Sequence, residues 1–132
     1  MLNIFKKKKY NKGFIIWLDA LLKNNDFEGV VAFNFNLYEG DNSYHIELVG
    51  SDEYDPGDSD WVCSERFASR DNILIVDEKV SGRTWEKALV YFRHNVEQYL
   101  IKGQFKDKLL SKAAVGIGFV DGDLEILYEN KS

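Results

Sequence analysis

The sequence predicts an α+β fold: a mostly antiparallel sheet of five to six strands, with an N-terminal helix and a long plus a short helix before a C-terminal hairpin. Three observations predict it. GVVAFNFNLY at 29–38 alternates apolar and polar residues, the period of a strand with one buried face. TWEKALVYFRHNVEQYL at 84–100 instead repeats its apolar residues every three to four positions, the period of a helix. Asp121-Gly122 lies between two further apolar runs and is a dipeptide favoured in two-residue hairpins. Helices grouped around strands joined by short turns make an α+β domain rather than a wound α/β one.

The first helix is expected from about Lys12 to Asn24, with Phe14, Trp17, Leu18, Leu21 and Leu22 on one face and Asn11 as N-cap. Val31, Phe33, Phe35 and Leu37 form the apolar face of the first strand. Glu39-Gly40-Asp41-Asn42 turns the chain into a second strand, Ser43 to Val49, with Tyr44, Ile46 and Leu48 on one side and His45 and Glu47 on the other. Gly50 to Asp60 has no hydrophobic period and is full of turn formers, which predicts an exposed loop. Trp61 to Phe67 reads as a third strand and Ile73 to Val76 as a fourth, with Asp77 to Arg83 as a loop. Thr84 is the expected N-cap of the long helix and Glu86 suits the positive end of its dipole. Trp85, Leu89, Phe92, Val96, Tyr99 and Leu100 form its apolar stripe, and Gly103 ends it as a C′ residue. A short helix is expected over about Phe105 to Lys112. Ala114 to Val120 and Leu124 to Glu129 close the chain as a hairpin. The long helix should cover the sheet face that bears Phe33, Phe35, Ile46 and Leu48.

A length of 132 residues makes one domain, 1–132, able to bury roughly two thirds of its unfolded surface. With 45% hydrophobic and 14% aromatic residues, disorder is excluded for the body of the chain. The net charge of −5 is unevenly spread: Lys6, Lys7, Lys8, Lys9 and Lys12 place +5 in the first twelve residues and leave −10 for the rest. Residues 1–10 read as a basic, solvated and flexible end. The acidic body disfavours direct nucleic-acid binding, because it repels phosphate. The apolar run Phe14 to Leu22 is interrupted by Asp19 and is too short to span a bilayer, so neither a secretion signal nor a membrane helix is expected. One cysteine, Cys63, allows no internal disulfide and fits a cytoplasmic protein.

The densest chemistry is Glu39 to Trp61, which holds eight carboxylates and no Lys or Arg. Its loop supplies Asp52, Glu53, Asp55, Asp58 and Asp60, flanked by Tyr54 and Trp61. Three readings stand side by side. The acids can meet a basic protein, with Tyr54 and Trp61 as apolar anchors and the polar strand face of Asn34, Asn36, His45 and Glu47 extending the surface. They can hold a metal or small ligand, although DEYDPGDSD lacks the spacing of a calcium loop. They can simply keep the protein soluble, with both rings tucked into the core. Catalysis has little to stand on: nothing ties His45 or His94 to Cys63, and Cys63 reads as a small buried hydrophobe. Gly116, Gly118 and Gly122 lie in a strand and a turn rather than ahead of a helix, so VGIGFVDG is not a phosphate loop.

IELVGSDEYDPGDSDWVCSERF, SGRTWEKALVYFRHNVEQYL and VGIGFVDGDLEILY together resemble a group of small acidic bacterial proteins, the immunity proteins of polymorphic or contact-dependent toxin systems. The resemblance covers roughly Val31 to Tyr128 and leaves out the basic N-terminus. It implies a cytoplasmic, non-enzymatic protein without a cofactor that binds one cognate toxin domain and blocks it. Many such toxins are nucleases with basic clefts, in which an acidic loop would mimic the phosphate backbone. The resemblance carries over no contact residues. Asp52, Glu53, Asp55, Asp58 and Asp60, with Tyr54 and Trp61, are the residues expected to carry the contact.

Overall fold

The computed structural model describes residues 12–131, so the lysine run Lys6–Lys9, the basic 1–10 segment and the Asn11 cap lie outside the described residues. The chain is α+β, with a six-stranded, mostly antiparallel sheet. Helix α1 spans Lys12–Asn24, as its apolar spacing predicts. Strands β1 (Ala32–Gly40) and β2 (Ser43–Ser51) pair antiparallel from Ala32↔Ser51 to Gly40↔Ser43. Asn42 closes their turn at φ 52°, a left-handed conformation that asparagine tolerates.

The expected third strand is mostly absent. Ser59–Cys63 forms a turn of 3-10 helix, and only Glu65–Ala68 is strand (β3). The cause is local: the Asp58 carboxylate accepts the Asp60 N–H at 3.0 Å, which starts a tight turn where alternation alone suggested an extended chain. Strand β4 is Leu74–Asp77. The stretch after it, read as loop, contains a short helix, α2 (Glu78–Ser81), capped by the Asp77 carboxylate, which accepts the Lys79 N–H at 2.8 Å.

Helix α3 (Trp85–Lys102) begins where Thr84 predicts, with the Thr84 hydroxyl accepting the Lys87 N–H at 3.2 Å. Gly103 ends it at φ −66°, not in the left-handed region. Glycine is needed there because a Cβ would run into the Tyr99 ring. Helix α4 is Lys106–Leu110, and β5 (Ala114–Phe119) and β6 (Glu125–Glu129) close the chain. Their connection is wider than a two-residue turn: the Gly122 N–H reaches the Phe119 carbonyl at 2.9 Å, and Asp123 and Leu124 extend the loop before β6 begins. The glycines of β5 permit close approach, since a Cβ on Gly118 would lie 2.6 Å from the Asp123 carbonyl oxygen.

The strand order is β3-β2-β1-β5-β6, and β4 also pairs with β2. Strands β1 and β5 run parallel, the one such pairing among the described strands. One sheet face carries the main core. Phe33, Phe35, Leu37, Ile46 and Leu48 meet α1 through Phe14, Leu18 and Leu22, and meet α3 through Phe92, Val96 and Tyr99. The Phe14 ring lies 6.4 Å from that of Phe35 and 6.5 Å from that of Tyr99, so the two helices and the sheet share one aromatic centre. Among the described residues no helix is long and apolar enough to cross a membrane.

Candidate functional site

The acidic loop leaves the sheet at the Ala32/Ser51 end of the β1–β2 hairpin. Its base is closed by the Asp52 N–H, which donates to the Ser64 carbonyl at 3.0 Å. Inside it the Asp55 carboxylate accepts the Gly57 N–H at 2.9 Å, and the Asp58 N–H donates to the Asp55 carbonyl at 3.1 Å. Glu53 accepts the Ser64 hydroxyl at 2.8 Å. These bonds hold the backbone while the charges stay in water. Asp52, Glu53, Asp55, Asp58 and Asp60 are all exposed, and none forms an ion pair with a described Lys or Arg.

The two aromatics behave differently from surface anchors. Trp61 is only 2% exposed, seated on Ala32 and Ala114 in a second, smaller core on the face away from the helices. Tyr54 is half-buried, with its ring 5.2 Å from that of Trp61 at 80°. Its hydroxyl donates to the Glu129 carboxylate at 2.5 Å. The expectation that Trp61 packs against a partner is therefore corrected: both rings face inward and tie the loop to β1, β5 and β6. The polar strand face extends the surface only in part: Asn36 and His45 are partly exposed, whereas its other two residues are buried. Asn34 and Glu47 are 3% and 5% exposed, and Glu47 accepts the Tyr38 hydroxyl at 2.7 Å.

Burial, followed by the hydrogen bond to Glu129 and the nearby negative charges of Glu129 and Asp55, pushes the Tyr54 phenol up to about 12. A raised value in the folded state means that the contribution is complete below the ordinary phenol value of 10.0 and is lost as pH rises through about 12. The loop should therefore detach from β6 in that alkaline window. Tyr38 and Tyr44 are also held above the ordinary phenol value, so phenolate absorbance should show several late-ionising tyrosines, of which the one near pH 12 disappears in Tyr54→Phe; an unchanged titration in that variant would contradict the assignment.

The carboxylates do not converge on a cation. Among the described residues no three of His, Cys, Asp or Glu stand close enough together to hold a metal. Cys63 is exposed, which corrects its reading as a buried hydrophobe, and no described hydrogen bond links it to His45 or His94. His94 instead lines a cleft of about 740 Å³ between α2 and α3, together with Val80, Val90 and Tyr91.

Sequence reasoning also misplaced two apolar residues: Val31, put on the buried face of the first strand, precedes β1 and is 38% exposed. Trp85, placed in the apolar stripe of the long helix, is 51% exposed. Its position in the first turn of α3 was the available signal, because a helix end can overhang the sheet it covers. Comparison with protein-family models, with curated proteins and with solved structures finds no match.

Proposed function

We propose that this protein is an immunity-type inhibitor, which binds a cognate bacterial toxin domain of basic, nuclease-type character and neutralises it. It works in the cytoplasm by occupying the toxin, without chemistry or a cofactor of its own. One observation carries the reading: five exposed carboxylates, unpaired with any described basic side chain, project from a loop fixed at its base and floored by buried aromatics. Crowded like charges disfavour the isolated fold, and a basic surface offsets that cost. Charge-assisted hydrogen bonds to Lys and Arg supply contact strength, and the long-range field speeds encounter. The resemblance of the acidic, helical and C-terminal stretches to immunity proteins supports the same reading.

Tyr54 and Trp61 contribute indirectly. By holding the loop in one shape they reduce the ordering cost of binding. Asp52, Glu53, Asp55, Asp58 and Asp60 make the contacts. The test is co-expression with the product of the gene immediately upstream. That product should arrest growth alone and be harmless beside this protein. A product that is harmless by itself, or that still kills in the presence of this protein, overturns the reading.

A further inference from the structure

A second cluster of acids and an exposed aromatic lies at the opposite end of the β1–β2 hairpin, where β1 and β5 both finish. The parallel register brings Leu37 beside Phe119, and the Val120 N–H donates to the Leu37 carbonyl at 3.1 Å, so the β1–β2 turn and the β5–β6 loop are neighbours. Phe119 is the hub of a short aromatic row. Its ring meets Trp85 edge-on at 6.3 Å and Tyr44 at 5.9 Å. Helix α2 joins the group through the Glu78 N–H, which donates to the Asn42 carbonyl at 3.0 Å. Trp85 and Val120 stay 51% and 56% exposed, an unusual position for an indole with so much core beside it.

The rim is anionic. Glu39 and Asp41 come from the first turn, Asp121 and Asp123 from the last loop, and Glu86 from the first turn of α3; all five are exposed and none is ion-paired among the described residues. Glu78 is paired with Arg83 at 3.6 Å, and Lys79 and Lys87 line the α2–α3 cleft. After burial, the negative charges of Glu39, Glu78 and Glu86 hold the Tyr44 phenol above its ordinary value, which shows how closely these carboxylates gather. A half-exposed indole at a sheet end where Glu39, Glu78 and Glu86 gather favours a cation over its face and repels phosphate, acidic surfaces and a second copy of the same patch.

We propose that the Trp85 end of the sheet is a second docking surface, whose occupant is an arginine- or lysine-bearing segment of another protein. It does not rest on the toxin reading, because the two surfaces are separated by the length of the strands, roughly 27 Å for a nine-residue strand. The cation sits on the indole, Val120 contacts its aliphatic stem, and Glu39 and Glu86 bind its charge.

The test follows the indole N–H resonances of the ¹⁵N-labelled full chain during titration with a hexa-arginine peptide, with the Trp85 signal assigned from Trp85→Phe. The Trp85 signal should shift saturably. Glu39→Gln with Glu86→Gln should weaken that binding about 3- to 10-fold, the scale of two exposed charge contacts. Asp55→Asn/Asp58→Asn/Asp60→Asn should leave the Trp85 shift intact. A Trp85 signal that stays still, that moves equally with hexa-glutamate, or whose titration is unaffected by the Glu39/Glu86 pair overturns the proposal.

Discussion

The triple variant Asp55→Asn, Asp58→Asn, Asp60→Asn should associate with the toxin domain about 10- to 100-fold more slowly at low ionic strength, with little change in its own stability. Asparagine is the right replacement here. The Asp55 and Asp58 side chains each accept a backbone N–H, from Gly57 and Asp60, and an amide oxygen keeps both bonds while removing the charge. The net charge moves from −5 to −2, so the field that draws a basic partner falls without any change in loop shape. Salt dependence should flatten in parallel, because screening acts on the same long-range term. Stability should stay within about 0.5 kcal/mol, as for surface substitutions generally, with relief of self-repulsion acting in its favour. Stopped-flow association at several salt concentrations measures both effects. An unchanged rate would mean that the partner docks elsewhere.

Trp61→Ala should be the most destabilising change in the loop region, lowering unfolding free energy by about 3–5 kcal/mol. The indole is 2% exposed and is the largest side chain of the small core that includes Ala32 and Ala114. Neighbours of that size cannot collapse into the space it leaves, so the cavity term adds to the lost burial. The loop is affected more than the rest of the fold. Tyr54 loses the ring it leans on, and the hydrogen bond to Glu129 is left as its main tether. Proteolytic nicking between Asp52 and Asp60 should therefore quicken well before global unfolding, since exposed loops open at lower cost than cores. Denaturant unfolding and timed proteolysis are the two measurements. A loss below about 1 kcal/mol, with cleavage unchanged, would show that Trp61 does not anchor the loop. The same substitution should also weaken toxin binding, through disorder rather than lost contact. Trp61→Phe, which refills part of the space, should recover part of both effects.

Most of the architecture was legible because it depends on neighbours close in sequence. Alternation in AFNFNLY and SYHIELV needs only residues two apart, and the helical spacing of Phe14 to Leu22 and of Leu89 to Tyr99 needs only residues three or four apart. The Thr84 cap is equally local. Where reading failed, a side chain had competed with the backbone pattern. Asp58 and Asp77 each captured an N–H two residues on, turning a presumed strand start into a 3-10 turn and a presumed loop into α2.

The candidate site divides in the same way. The sequence by itself determined that a loop crowded with carboxylates follows the second strand, because charge density and turn residues are properties of the stretch alone; its expected bounds, Gly50 to Asp60, were too wide, since β2 runs on to Ser51 and the 3-10 turn begins at Ser59. Which of Trp61 and Trp85 is buried was decided only by tertiary structure. Trp61 disappears because β1 and β5 pair in parallel, bringing Ala32 and Ala114, 82 positions apart, together as a seat small enough for an indole. Trp85 stays out because it starts α3 at the end of the sheet, where Phe119 supports one edge of its ring and nothing described covers the remainder. Exposure depends on what lies opposite a side chain, and that partner is supplied by strand order, which no local period encodes.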